Sequence, residues 1–372
     1  MDDVPNRPFR PEKVAMFVAL RDIRFARGRF ALMGAVVTLI TTLVVFLYGL
    51  TGGLASAASS TVARLPADRI VFGAPPGAAP SVSFSSSSVS PEQQAGWASA
   101  PGVRSANGIG LAMTRLTGTG SAFAVSVLGA PAALLPPLSS GAAPADGQVA
   151  VGAETAAKNH LTVGQQVRIA ARSLTVSGIT ADRSYAHAPT VWTTLPTWQA
   201  VSGQTQPTAL AVSLAAGASP GAVDQAQNTK AVPLDDALTG IDGFAAEQGS
   251  LQMIQGFLFA VSALVVGAFF TVWTVQRKPD IAVLKAIGAG SGYLVRDALA
   301  QAAAVLLGGA LLGGAVGAAG GVLATASVPF DLSAASVAVP VGVMVLLGLL
   351  GAALAVRRIT AVDPITALGA SR

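Results

Sequence analysis

The chain has 372 residues, of which 52% are hydrophobic and only 11% charged, with 41 Gly and no Cys. The missing Cys excludes disulfides, thiolate metal sites and iron–sulfur clusters, and the low charge with high Gly is that of a helical membrane protein rather than a soluble enzyme. A net charge of +5 and a pI near 10 would suggest a nucleic-acid partner if averaged over the chain, but the basic residues are placed so as to give that reading no support.

Stretches without any Asp, Glu, Lys or Arg run between Arg29 and Arg64, between Glu247 and Arg277, between Asp297 and Asp331, and between Asp331 and Arg357. Each can supply the ~20 apolar residues that cross a bilayer as a helix. The predicted fold is therefore a mainly α membrane protein with four transmembrane helices in a one-plus-three layout. A mixed α/β extracytoplasmic domain lies between the first helix and the second.

In chain order, residues 1–29 form a cytoplasmic N-terminal segment. Within it VAMFVALRDIRFARGRF (14–30) reads as a helix lying on the membrane surface. A plain basic flank to the first span is the alternative. Residues 30–55 are the first transmembrane helix and stalk, too long for a cleaved signal. Residues 56–247 form the outer domain, large enough to fold on its own core. Strands are expected at 69–72, 122–128, 166–171 and 173–179, where apolar residues alternate. Short helices are expected at 91–100 and 219–228, and a mobile loop over the Pro/Ser-rich 75–90. The remaining spans are 248–276, 298–327 and 337–356. A loop at 277–297 separates the second and third, and a cytoplasmic tail at 357–372 carries Asp363-Pro364, which suits a helix start. In the third span Gly309/Gly313 and Gly313/Gly317 have the spacing of close helix contacts.

Seven basic residues precede the first span, four lie at 277–297 and three follow the last span, whereas the outer domain has nine basic and ten acidic residues. By the positive-inside rule both termini and the 277–297 loop are cytoplasmic and the domain is outside, as in a multi-pass protein of a bacterial plasma membrane.

No G-x-x-x-x-G-K-[ST] sequence is present, so the chain is not expected to hydrolyse ATP itself. No His/Glu cluster has zinc spacing, and His160 and His187 read as solitary surface or packing residues. The segment QRKPDIAVLKAIGAGSGYLVRD (276–297) is more specific. Pro279 can open a short helix and Gly288 can close it, while Ile281, Val283, Leu284 and Ile287 give it apolar contacts beside Lys285. An apolar cytoplasmic helix needs a partner to cover it; an ordinary connecting loop is the alternative.

This segment, the one-plus-three layout and the tail VRRITAVDPITAL together resemble permeases of the MacB/FtsX superfamily, the type VII ABC exporters. The resemblance implies that Pro279, Ile281, Leu284, Lys285, Ile287 and Gly288 form a coupling helix that docks on a separate ABC ATPase holding ATP and Mg. It also implies a homodimer working with two ATPase subunits and no intrinsic cofactor. The runs 243–289, FLYGLTGGLA (46–55) and LPADRIVF (65–72) are similar to haem-exporter permeases of the HrtB type, and DevC-like permeases share the latter two. The Ala, Gly and Ser-rich outer domain carries little of that signal. The substrate implied is haem, taken laterally from the membrane.

Without Cys, haem iron would need Glu, Tyr, Met or His. Glu247 is the candidate iron ligand, because a carboxylate at the outer start of a span is costly unless it has a partner or a function. Tyr48 and Met253 are the accompanying candidates. In a two-fold dimer two copies of Glu247 could meet a flat ligand from both faces. The alternative for Glu247 is a simple boundary residue. For the protein, the alternatives are a permease for lipid, lipoprotein or antibiotic export, or an FtsX-like signal transmitter that carries nothing across.

Overall fold

The computed structural model describes residues 27–74, 77–118, 120–277, 283 and 290–360. Its elements in order are α1 (Arg27–Ala63), β1 (Arg69–Phe72), α2 (Pro91–Ala98), β2 (Val103–Thr117), β3 (Phe123–Gly129), β4 (Leu138–Gly141), β5 (Gln148–Gly152), α3 (Ala153–Asn159), β6 (Gln166–Ile169) and β7 (Arg172–Thr180). They continue with β8 (Ser184–Tyr185), β9 (Ala188–Thr193), α4 (Leu195–Ser202), β10 (Ala209–Leu214), α5 (Gly221–Gln227), β11 (Lys230–Pro233), α6 (Leu234–Ala237), α7 (Phe244–Gln276), α8 (Ser291–Ala324) and α9 (Ala334–Thr360). The chain divides into two units, Leu54–Ser250 and the residues on either side of that interval.

The flanking unit holds four helices long and apolar enough to cross a membrane, lying in Phe30–Ala63, Phe244–Gln276, Gly292–Ala324 and Ala334–Val356. Its core joins Met33, Val37 and Val44 of α1, Val266 and Phe270 of α7, Ala302, Leu306 and Ala310 of α8, and Met344 and Ala352 of α9. The Gly pairs of α8 do what their spacing predicts. A Cβ on Gly313 would sit 2.6 Å from the Thr38 carbonyl oxygen, and one on Gly309 or Gly317 would sit 2.9 Å from Val37 or Val45. This closeness lets the Thr38 hydroxyl donate to the Gly309 carbonyl at 3.2 Å and the Thr42 hydroxyl to that of Gly313 at 3.1 Å. Small residues thus trade side-chain volume for backbone contact and interhelical hydrogen bonds, the terms that hold helices together in lipid.

Polar groups cap both ends of this bundle. After α8, the Asp331 amide donates to the Gly49 carbonyl, and its carboxylate accepts from Ser333 just before α9. At the Gln276 end of α7, Arg277 lies 5.2 Å from the Trp273 ring centre and donates to the buried Gln301 at 2.6 Å. Gln301 in turn donates to Asp297 at 2.9 Å.

The other unit is a mixed α/β domain around one curled sheet. Strands β11, β1, β10 and the first half of β2 form an antiparallel open part. From there the order β2-β3-β9-β5-β7 turns back on itself, because β6 pairs with both β7 and β2 and closes a six-strand ring. The ring encloses Leu116, Val125, Val127, Val151, Val167, Ile169, Val176 and Val191, with the fully buried Trp198 of α4 packed among them. β2 belongs to both parts, and its glycines mark the change: a Cβ on Gly110 would collide with the Trp198 ring. One core of the open part includes Trp97 of α2, Val71, Leu210 and Val212. Another joins Val62 of α1 to Ile70, Phe72, Ile109, Trp192 and Ile241.

The expected strands at 69–72, 122–128, 166–171 and 173–179 correspond to β1, β3, β6 and β7, with β6 ending at Ile169 because Ala170 turns the chain at a φ of 51°. The expected helices correspond to α2, whose Ser90 and Gln93 form a capping box, and α5. The Pro/Ser-rich stretch is a loop as expected: its described residues, 77–90, hold no strand or helix. Hydroxyl hydrogen bonds tie it to the sheet. The buried Ser87 hydroxyl accepts from the Gly73 amide and donates to the Thr208 carbonyl at 2.7 Å, Ser88 donates to Gln206 at 2.6 Å, and Phe84 is buried against Phe72 and Tyr185. Serine hydroxyls replace the missing ladder bonds. The expected surface helix before residue 27, the coupling helix and the terminal helix after Asp363 lie outside the described residues.

Candidate carboxylate site at the start of helix α7

The site is built from three pieces of the outer domain: the far end of α1, the β8–β9 hairpin and the first turn of α7. The hairpin turns on two residues, Ala186 and His187, with φ of 48° and 62°. Tight hairpins use this left-handed pair, which favours Asn and Gly and strains Ala and His. The strain is offset by a latch. The Ala186 and His187 amides donate to the Ala58 and Ala57 carbonyls at 2.8 and 3.1 Å. The Ser60 hydroxyl accepts from the Ser184 amide at 2.9 Å, and Thr61, Thr190 and Ser126 form a buried hydroxyl chain with 2.6 Å links.

Gly243, at a φ of 80°, lets the chain turn into α7, whose first turn carries Glu247. A carboxylate is favoured there by the helix dipole. Glu247 Oε2 lies 2.9 Å from Nε2 of His187, with the two side chains 32% and 45% exposed. At that exposure the contact adds little to stability, so its interest is in how it holds the carboxylate. The second oxygen, Oε1, makes no hydrogen bond or ion pair among the described residues.

Beside the hairpin lies a cleft of about 610 Å³ lined by Phe84, Leu111, Met113, Tyr185, Gln204 and Asp242. Burial, reinforced by the Asp242 carboxylate, raises the Tyr185 phenol well above its usual range and keeps it protonated. Just before β8 in the chain, burial and then the Arg64 guanidinium lower the Arg183 pKa, against an opposing pull from Asp182.

Of the sequence candidates, Glu247 stands in this site. Tyr48 and Met253 belong to the membrane unit, Tyr48 half-buried on α1 and Met253 64% exposed on α7. Pro279, Ile281, Leu284, Lys285, Ile287 and Gly288 lie outside the described residues. His187 requires a correction: it is not solitary but Glu247's partner. Sixty positions separate the two, so no local spacing could reveal the pair. His160 caps α3 in a left-handed conformation and fits its structural reading. Among the described residues no group of three or more His, Cys, Asp or Glu could hold a free metal ion; a single carboxylate with an imidazole behind it suits a metal already held by another ligand frame.

Four membrane-spanning helices, with an α/β domain inserted in the chain after the first, define an integral membrane permease with a large extracytoplasmic domain. Residues 30–229 match the MacB-like periplasmic core domain and residues 253–364 the FtsX-like permease C-terminal domain. The chain belongs to the MacB/FtsX superfamily of ABC transporter permeases and is HrtB-like within it. It is 27% identical over 356 residues to a Staphylococcus haemolyticus protein provisionally named hemin transport system permease protein HrtB, covering 95% of this chain and 99% of that one. It is equally 27% identical over 358 residues to an uncharacterized ABC transporter permease of Mycobacterium bovis, with the same coverage. Among solved structures, the periplasmic region of MacB from Actinobacillus actinomycetemcomitans aligns at a TM-score of 0.37 and 9% identity, covering 48% of this chain and 94% of that one.

Proposed function

We propose that this permease exports haem taken laterally from the membrane, as a homodimer driven by two copies of a separate ABC ATPase that binds ATP and Mg. The carrying observation is the Glu247 carboxylate at the first turn of a membrane-spanning helix, with one oxygen held by His187 and the other unengaged among the described residues. An anionic oxygen presented in that way is a hard ligand for ferric iron. The hemin-transport name of a relative matched along nearly its whole length supports the same substrate. The deciding experiment adds hemin to the purified permease–ATPase complex. A saturable haem absorbance band and hemin-stimulated ATP hydrolysis are expected. Stimulation by lipids or antibiotics without a haem band would replace the substrate, and a stable extracellular protein partner with no stimulation would favour signal transmission.

Orientation and coupling give further tests. A Cys in place of Ser86 should react with an impermeant reagent outside intact cells and one in place of Ala289 should not; the reverse pattern overturns the assigned topology. Native mass measurement should find two copies of this chain per complex, and one copy would reject the homodimer. Leu284→Asp or Ile287→Asp would bury a charge against the ATPase at a cost on the order of several kcal/mol. Normal membrane insertion with loss of assembly or of coupled transport is expected, and unimpaired export by both variants would remove this segment from the mechanism.

A further inference from the structure

We propose that His187 is a positioning residue for the ligand carboxylate: it holds Oε2 of Glu247 so that Oε1 is turned out toward the substrate's metal. This rests on the haem assignment above and extends it to a residue outside the helix that carries the ligand.

Three observations converge on it. The first is the 2.9 Å contact between Nε2 and Oε2, which engages one carboxylate oxygen and leaves its twin unengaged among the described residues. A free glutamate rotates about three side-chain bonds and presents either oxygen in many directions; a second anchor on one oxygen removes most of that freedom before the ligand arrives. The second is strain. His187 occupies left-handed backbone at φ 62°, next to Ala186 at 48°, where a residue with a side chain is disfavoured by about 1–2 kcal/mol. Gly or Asn would make the same turn more easily, so the imidazole stands at a position chosen for what it reaches rather than for how it folds. The third is the mounting. The His187 amide is bonded to the Ala57 carbonyl and the adjacent Ala186 amide to that of Ala58, and the hairpin behind them is tied to α1 through Ser60 and the buried Thr61–Thr190–Ser126 chain. The imidazole therefore stands on a fixed support, unlike a side chain on an open loop tip.

Where a carboxylate or imidazole binds metal, the group hydrogen-bonded behind it orients the ligand, and removing that group typically weakens metal binding by about 10–100-fold. Here the imidazole plays that part for Glu247. No proton need be transferred and no bond is made or broken in the protein; His187 only limits where the carboxylate can point.

The test uses the full-length permease with its ATPase, titrated with hemin and followed by absorbance, on four variants. His187→Ala is expected to weaken hemin binding about tenfold or more and to broaden or shift the haem band. His187→Gln, whose amide can donate to the same oxygen, is expected to recover most of the loss. His187→Gly relieves the left-handed strain, so it should melt no lower than the unaltered protein while binding hemin as weakly as His187→Ala. That combination separates positioning from folding. Wild-type affinity and spectrum in His187→Gly, with Glu247→Ala losing the band, would overturn the positioning role and leave the haem assignment standing. A loss in His187→Gln as deep as in His187→Ala would overturn it in favour of direct ligation by the imidazole. If Glu247→Ala itself keeps the wild-type band, the haem assignment to this site fails and the role of His187 fails with it.

Discussion

Glu247→Ala should abolish the haem band of the purified complex, or weaken hemin binding by more than about tenfold, which is about 1.4 kcal/mol, and leave cells unprotected from haem. The substitution removes the only anionic side chain in the first turn of α7 and the partner of His187. It keeps a strong helix former in place, and a half-exposed contact of this kind contributes little to stability. Folding and assembly with the ATPase should therefore persist, so that a loss of binding reports on the ligand. In a homodimer each substitution removes two carboxylates, which sharpens the effect. Unchanged spectrum, affinity and protection in Glu247→Ala would make Glu247 a boundary residue only.

Gly313→Leu should be strongly damaging to the packing of the spans. Even a Cβ there would lie 2.6 Å from the Thr38 carbonyl oxygen and 2.8 Å from the Thr41 Cβ. Both are backbone or near-backbone atoms that cannot rotate away, so α1 and α8 must separate. Overpacking costs about 1–3 kcal/mol. The Thr42 bond to the Gly313 carbonyl is lost with the contact, at about 0.6 kcal/mol for an interhelical hydrogen bond in a membrane. A lower melting temperature in detergent and loss of ATP-driven transport are expected. Gly308→Leu is the control, because that glycine is exposed and nothing stands within 4 Å of its Cβ position. Equal melting temperatures for the two variants would show that the α1–α8 seam does not carry the stability assigned to it.

Much of this architecture was readable before any coordinates. The four uncharged stretches identify four spans because a charge in hydrocarbon is too costly to occur by accident. The Gly pairs of α8 announced a close helix contact, since small residues four apart fall on one helix face, and only the structure shows that α1 is the partner. In the outer domain β1, β3, β6 and β7 were visible because their apolar residues alternate or run together between turn signals. Strands β5, β9 and β10 were not. QVAVG, APTVWT and ALAVSL are short runs buried almost throughout, and burial on both faces erases the alternation that marks a strand. β2 was hidden for another reason: its central Asn107, Gly108 and Gly110 are residue types that strands usually lack, and only the rings packed over those glycines explain why they sit in a sheet.

The candidate site divides in the same way. By itself the amino-acid sequence determined that a lone acidic residue, Glu247, stands where an apolar helix begins, because hydropathy and charge are properties of consecutive residues. Only the tertiary structure decided that His187 stands behind it, that the serine-rich stretch is pinned by hydroxyl bonds, and that a strained two-residue turn is clamped to α1. Those contacts join segments dozens to more than a hundred positions apart. Their partners are chosen by strand pairing and helix packing, which depend on the whole folded chain rather than on any local pattern.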